Sequence, residues 1–303
     1  MPSLVHARLP RGGLGNKLLV WAKATVFGAL NNLPVVTTGW ADVKLGPLLR
    51  RERFTRFYFG YFRRQHTLQL LRLIYSYGVC SQIREPGLRV MEAPSNRRLY
   101  VFSELPRYPN YFDGIRDRRD LIKSALWGIA STSVLNRAQE SRPPVIGVHV
   151  RRSDFREQAA GEFPGLHANV RTPSEYFIRS IRFVREICGG DLPVTVYTDA
   201  HPDEIRDLLA LGSVVISPST NALYDLITLS RSRCLILSHG STFGYWAGFL
   251  SDAPVIVPYP LVSPIRSAAI NARYYEGVAL GSALLVRNMK AIFKRPSSMG
   301  SVT

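Results

Sequence analysis

The segment GVHVRRSDF (147–155) carries a histidine, two arginines and an aspartate at the end of an apolar run. Side chains alternate along a strand, so His149 and Arg151 are predicted on one face and Arg152 on the other. Guanidinium groups bind phosphate oxygens in bidentate fashion and stabilise a departing diphosphate. The pattern predicts that one arginine reaches a phosphorylated ligand while the other braces the loop. A structural arginine pair with Asp154 is the alternative interpretation.

Two further turns carry residue types that suit the same ligand. In LSHGSTFGYWAGFL, Ser238, Ser241 and Thr242 lie between an apolar strand and a helix, where hydroxyls and backbone N–H groups can bind phosphate. Capping of the helix by Ser241 explains the same residues. In VYTDA, Asp199 follows another strand and can hold a guanine or a ribose hydroxyl, or cap the next helix.

A glycine-rich turn lies near the N-terminus, in RGGLGNK (11–17). Gly13 and Gly15 allow a tight turn before a helix, and the Asn16 amide can reach a ligand oxygen. The turn matches neither the phosphate-loop pattern nor GxGxxG. Local capping by the Asn16 side chain is the alternative.

The elements that position these turns follow a regular alternation after the seam AQESRPPVIG. Five apolar strands alternate with four helices, which predicts a doubly wound parallel sheet with ligands at the carboxyl ends of its strands. The first of these helices is predicted to begin at a capping box formed by Thr172 and Glu175, with Pro173 in the first turn. The first half opens with a strand in LVHARL and a helix in KLLVWAKATVFGAL, and residues 45–95 are predicted to be more helical than sheet-like.

Charge is the most unusual feature of the composition, with 39 Lys and Arg against 22 Asp and Glu, a net +17. Residues 50–72 interleave arginines with aromatic rings, a composition that suits an anionic membrane surface, RNA stacking, or an internally packed helix pair with solvated arginines. No run of about 18 apolar residues predicts a membrane span. The N-terminus lacks a secretory-signal pattern, and Cys80, Cys188 and Cys234 lack partners at metal-ligand spacing, so reduced thiols and a cytoplasmic location are expected.

Four segments in order, RGGLGNKLLVWA, GVHVRRSDF, LPVTVYTDA and DLITLSRSRCLILSHGSTFGYWAGFL, resemble the motifs of the α-1,2-fucosyltransferases of glycosyltransferase family 11. The related α-1,6- and protein O-fucosyltransferases share the His-x-Arg-Arg-x-Asp pattern. The resemblance implies an α/β fold of the GT-B type, with two Rossmann-like domains facing a cleft. It also implies transfer of fucose from GDP-fucose to a glycan hydroxyl with inversion at the sugar carbon and without a metal or other cofactor.

The implied domains are an acceptor-side domain (1–142), a sugar-nucleotide-binding domain (143–278) and a C-terminal helix and tail (279–303). By motif position, the resemblance places Arg151 and Arg152 at the β-phosphate, His149 and Asp199 near the guanosine, and Gly15 and Asn16 at the reacting centre. The remaining predicted site residues are Asp154 as a catalytic carboxylate and, around the nucleotide, Ser238, Ser241, Thr242 and Gly13. Three carboxylates are open as the general base, namely Asp154, Glu157 and Glu162.

The sequence departs from the family at Lys17 and Leu19 after the glycine turn, at Ala200 after Asp199, and at SHGST (238–242). These departures concern the acceptor more than the reaction.

The expected partners are a sugar nucleotide, a glycan that is lipid-linked in one interpretation, and an anionic membrane contacted peripherally through residues 50–72 at the inner membrane surface. No nucleic-acid partner is expected. An α-1,2 linkage in bacterial surface polysaccharide is the predicted setting. The rivals are a glycosyltransferase with another donor or linkage, and a non-catalytic basic protein that binds membranes or polyanions.

Overall fold

The computed structural model describes residues 3–41, 58–64, 67–91, 97–159, 162, 169–219, 221–258, 263–268 and 280–294. The chain divides into two compact units. The first contains Met1–Glu140 and Asn221–Tyr224, and the second contains Ser141–Thr220 and Asp225–Thr303.

The first unit contains a four-stranded sheet in which every neighbouring pair is parallel, in the order β2-β1-β4-β3. Its elements in chain order are β1 (Leu4–Arg8), α1 (Leu14–Leu30), β2 (Val35–Thr38), α2 (Thr67–Val79), β3 (Ser81–Arg84), β4 (Arg98–Phe102), a 3-10 turn (Arg116–Arg118), α3 (Arg119–Ile129) and α4 (Thr132–Glu140). The predicted strand in LVHARL and the helix after the glycine turn are confirmed as β1 and α1. The more helical interpretation of residues 45–95 is confirmed only for α2, because the edge strand β3 also lies there, and residues 45–57 lie outside the described residues.

The second unit contains a five-stranded parallel sheet in the order β7-β6-β5-β8-β9. Its elements in chain order are β5 (Ile146–Val150), α5 (Ser174–Cys188), β6 (Val194–Thr198), a 3-10 turn (Pro202–Ile205), α6 (Arg206–Leu209), β7 (Val214–Ile216), α7 (Ala222–Ser230), β8 (Cys234–Leu237), α8 (Thr242–Leu250), β9 (Val255–Ile256) and α9 (Ala283–Lys294). The first three residues of α7 are grouped with the first unit. The predicted doubly wound sheet of five parallel strands is confirmed, and both sheets are Rossmann-like. The helix predicted over HPDEIRDLLAL is shorter than expected, because its first turn is 3-10.

The core of the second unit explains why its sheet forms. Every residue of β5 is buried, as the parallel strand of a doubly covered sheet requires. One face of the sheet packs against α5 through Phe177, Ile181 and Val184, and Leu285 of α9 belongs to the same cluster. Burial of side chains of this size stabilises the unit by about 2 kcal/mol each, which fixes the strand ends that carry the predicted site residues.

The remaining general features concern thiols and membrane spans. All three cysteines are free thiols, with Cys234 buried and Cys80 and Cys188 only partly buried. Among the described helices, none is both long and apolar enough to cross a bilayer.

Candidate functional site

The site lies where the strand order of the second sheet reverses. The chain moves outward from β5 through β6 to β7 and then returns to β8 on the other side of β5. His149 is paired with Leu237 of β8 and with Tyr197 of β6, so the residues that follow these three positions meet at one edge. Open α/β sheets bind their ligands at this kind of crevice, outside the carboxyl ends of the strands.

Ser238 joins the ends of β5 and β8. Its Oγ accepts a hydrogen bond from the Arg151 backbone N–H at 2.8 Å and donates to the His149 carbonyl at 3.0 Å. Ser238 is fully buried, and its backbone N–H also donates to the His149 carbonyl at 3.0 Å. The buried hydroxyl therefore fixes the backbone from which the Arg151 side chain extends.

Asp199 fixes the same loop from the β6 side. One carboxylate oxygen accepts from the Arg152 backbone N–H at 2.9 Å, and the other accepts from the Ser153 hydroxyl at 2.6 Å and lies 2.6 Å from Arg151 Nη1. The alternative in which Asp199 caps the following helix is wrong, because His201 caps the 3-10 turn there. The Asp199 carboxylate instead orders the loop after β5 and orients the Arg151 guanidinium.

The two arginines have different environments. The Arg152 guanidinium is buried, donating to the Thr172 carbonyl at 2.7 Å and to Ser174 Oγ at 2.9 Å, so it ties the loop to the start of α5. Arg151 is about one-fifth exposed and pairs with Asp154 at 2.5 Å as well as with Asp199. Arg151 thus presents the accessible guanidinium, already aligned by two carboxylates.

His149 is buried beneath the first turn of α8. A Cβ placed on Gly244 would lie 2.8 Å from His149 Nδ1, so only glycine allows this approach. Burial lowers the pKa of His149 to about 3; the Arg151 charge acts in the same direction and the Asp199 carboxylate opposes it. The Nδ1 atom has no hydrogen-bond partner within the described part of the chain. His149 is therefore a neutral imidazole packed against the helix, with its ring 5.3 Å from that of Phe243.

The N-terminus of α8 brings Ser241 and Thr242 to this edge. Ser241 is the N-cap residue of α8, but its side chain makes no capping hydrogen bond, so the capping interpretation is wrong. The preceding loop is held by Thr172, whose Oγ1 accepts from the His239 N–H at 2.9 Å. The helix thus directs its positive end toward the crevice.

Thr172 also corrects the prediction for the start of α5. The predicted capping box with Glu175 is wrong, because α5 begins at Ser174 with Pro173 as its N-cap and without a side-chain cap. The Thr172 hydroxyl holds the loop after β8 instead, and its carbonyl accepts from Arg152. The contacts of Thr172 with His239 and of Gly244 with His149 join segments far apart in the chain. Local spacing carries no signal for such contacts, so the sequence analysis missed them.

The glycine turn lies in the first unit, after β1. Gly13 is the N-cap residue of α1, and Gly15 and Asn16 lie in its first turn. Lys17, one of the departures from the family pattern, is fully buried, and its ammonium group donates to the Pro10 carbonyl at 3.1 Å and to the Gly39 carbonyl. The cation closes the turn onto the loop after β2.

The three carboxylates considered as a general base all form ion pairs in the second unit. Asp154 pairs with Arg151, Glu157 with Arg171 at 2.5 Å, and Glu162 with Arg156. The geometry favours Asp154 for proximity to the crevice, because it shares a guanidinium with Asp199. In the described ranges, no group of three or more His, Cys, Asp and Glu residues is arranged to hold a metal ion.

The structure therefore brings together seven predicted residues from the second unit, and an eighth, Thr242, begins the adjoining helix. The seven are His149, Arg151, Arg152, Asp154, Asp199, Ser238 and Ser241. Gly13, Gly15 and Asn16 belong to the other unit, at the carboxyl end of its own first strand.

The fold of this chain is similar to those of two solved fucosyltransferases. POFUT1 in complex with GDP is 13% identical, with a TM-score of 0.51 over 84% of this chain and 97% of that one. The fucosyltransferase NodZ from Bradyrhizobium is 14% identical, with a TM-score of 0.50 over 83% of this chain and 94% of that one. No protein-family model and no curated protein matches the sequence.

Proposed function

We propose that this chain is a glycosyltransferase that moves fucose from GDP-fucose to a glycan hydroxyl. One observation carries the proposal. The Arg151 guanidinium and the N-terminus of α8 lie at the same edge of the second sheet, at the carboxyl ends of β5 and β8. Two kinds of positive charge suited to phosphate oxygens meet there, namely a guanidinium and a helix N-terminus. The fold shared with POFUT1 and NodZ adds the choice of donor.

Arg151 has the central chemical role in this proposal. As the bond from fucose C1 to the diphosphate breaks, negative charge develops on the leaving oxygen, and a preorganised guanidinium stabilises it without reorganisation. Asp154 and Asp199 hold that guanidinium in position. Arg152 acts as a positioning residue, because its guanidinium donates to Thr172 and Ser174.

The acceptor hydroxyl attacks C1 from the face opposite the diphosphate, which inverts the configuration, and its proton passes to a carboxylate. Asp154 is the candidate base, since it lies beside Arg151. In this proposal the acceptor is assigned to the first unit, where Gly15 and Asn16 lie in the first turn of α1. An α-1,2 linkage, metal independence, a role in bacterial surface polysaccharide and a cytoplasmic location at the inner membrane surface complete the proposal.

A donor panel tests the reaction. Purified protein is incubated with GDP-fucose, GDP-mannose and UDP-sugars in the presence and absence of chelator, and both hydrolysis and transfer to oligosaccharides are measured. We expect release of GDP from GDP-fucose at a rate unchanged by the chelator. Turnover of UDP-sugars alone would contradict the donor, and loss of activity with chelator would contradict metal independence.

A further inference from the structure

Helix α2 of the first unit exposes large apolar side chains. Leu68 is 78% exposed, Ile74 69%, and Leu71 and Tyr75 56% each. The four lie at spacings of three, four and seven residues, so they share the outward side of the helix. Single exposed apolar residues are ordinary on protein surfaces, whereas a contiguous group of this kind marks an interaction surface.

Packing of α2 within the first unit does not explain its exposed apolar side chains. Leu73 and Ser76 are its buried residues, and Leu73 packs in one cluster with Leu4, Val36 and Leu99. Leu73 is thus the buried apolar residue of α2, whereas four large apolar side chains lie on its outward side. Transfer of water-exposed Leu and Ile side chains from water to an apolar phase is favourable.

The sequence between Glu52 and Glu85, which includes α2, carries charge of one sign. From Arg53 to Arg84 the sequence contains six arginines and no Asp, Glu or Lys. Arg72 lies within the helix, and Arg64 and Arg84, which flank it, are exposed. Residues 1–140 contain 22 Lys and Arg against 9 Asp and Glu, compared with 17 against 13 in the remainder.

We propose that α2 binds an anionic lipid surface, with Leu68, Leu71, Ile74 and Tyr75 in the interface and the flanking arginines at the headgroups. An apolar helical face with basic flanks is the pattern of helices that lie in the plane of a membrane surface. Aliphatic side chains favour lipid over nucleic acid, which is bound by stacking on aromatic rings. This proposal does not depend on the proposed enzymatic reaction.

The structure also revises the part of the chain predicted to contact the membrane. Of the predicted stretch 50–72, residues 50–57 and 65–66 lie outside the described residues. Two of its rings, Tyr58 and Phe62, are buried, and Phe62 stacks on Trp40 with ring centroids 3.8 Å apart. These two rings cannot lie at an interface, so the contact moves to α2.

Vesicle flotation with the full chain tests the proposal. Vesicles of phosphatidylcholine alone are compared with vesicles of phosphatidylcholine and phosphatidylserine in equal amounts. We expect at least about tenfold tighter binding to the anionic vesicles, weakened by salt. The double variant Leu71→Gln, Ile74→Gln removes apolar area without changing charge and should reduce binding about tenfold or more.

Val215→Gln is the matched control, because Val215 is 60% exposed on β7 of the second unit. It should bind anionic vesicles as the parent does. Thermal unfolding of the double variant checks that the fold is retained, and Arg72→Gln should weaken binding and its salt dependence while leaving the fold intact. Equal binding by the parent and the double variant would overturn the proposal. So would a dimer in sedimentation that the double variant disrupts, or RNA binding by the parent protein without vesicle binding.

Discussion

Each unit has cations near the carboxyl end of its first strand, but the environments of Arg151 and Lys17 differ. In the second unit Arg151 remains partly exposed at the sheet edge, aligned by Asp154 and Asp199. In the first unit Lys17, in the first turn of α1, is buried and bonded to two backbone carbonyls, while Arg8 and Arg11 beside the glycine turn are exposed. A cation bound to its own backbone stabilises a turn, whereas an accessible one can bind a ligand. Because Arg151 is aligned by two carboxylates, we expect the diphosphate to bind in the second unit.

Substitution of Arg151 should have the largest effect on turnover. Arg151→Lys keeps the charge but loses the planar pair of donors, so it cannot contact two phosphate oxygens and two carboxylates together. Turnover of GDP-fucose should fall about 100-fold or more, as for loss of one donor to a developing negative charge. The measurement is the steady-state rate of GDP release.

Arg156→Lys is the control for Arg151, because Arg156 is half exposed and pairs with Glu162. Its turnover should stay within about twofold of the parent, as expected for an exposed ion pair. Equal losses in the two variants would contradict a specific role for Arg151, since any Arg→Lys substitution in this loop would then lower turnover.

Lys17 tests the other side of the comparison. Lys17→Met leaves the carbonyls of Pro10 and Gly39 without their donor, and should lower the free energy of unfolding by about 3 kcal/mol. Urea unfolding measures it, and GDP affinity of the folded variant should be unchanged. Lys290→Met, on the exposed side of α9, should have little effect on stability. A folded Lys17→Met protein that loses GDP binding would show that the first unit also binds the nucleotide.

Gly244 tests how closely α8 must approach His149. Gly244→Ala places a methyl group 2.8 Å from His149 Nδ1, so we expect a loss of about 2 kcal/mol in stability and weaker GDP binding. Gly128→Ala is the matched control in α3, where an added Cβ meets nothing within 4 Å. That variant should be stabilised by about 0.5 kcal/mol. An unchanged Gly244→Ala protein would mean that the helix end is not fixed by this contact.

Acid should destabilise both units. Burial lowers the pKa of His149 to about 3 and that of His6 to about 4, from 6.5. The unfolded chain therefore binds more protons than the folded one below pH 6.5, and the free energy of unfolding should fall as pH drops from there toward pH 4. Each histidine contributes a slope of about 1 kcal/mol per pH unit.

Urea unfolding across this pH range, repeated on His149→Asn, measures the contribution of each unit. The variant should retain about half of the histidine-dependent slope, because His6 remains buried between the Tyr77 hydroxyl at 2.7 Å and Thr38 Oγ1 at 2.8 Å. A slope unaffected by the substitution would contradict a buried neutral His149.

The sequence predicts the second unit well because its strands are short apolar runs separated by helices, a pattern that local spacing reveals. The residues at the ends of β5, β6 and β8 could therefore be chosen before the structure was known. The contacts of Thr172, Gly244 and Lys17 could not, since each joins segments far apart in the chain. Burial of Tyr58 and Phe62 was missed for the same reason, as arginine-rich spacing does not reveal which rings face inward.

Calorimetric titration of GDP and UDP into the parent and Arg151→Lys proteins tests the central claim most directly. We expect GDP to bind more tightly than UDP, and the affinity for GDP to fall about tenfold or more when Arg151 loses its planar donors. Equal affinity for GDP and UDP, or GDP binding unchanged in the variant, would contradict a guanosine diphosphate site at the carboxyl ends of β5 and β8.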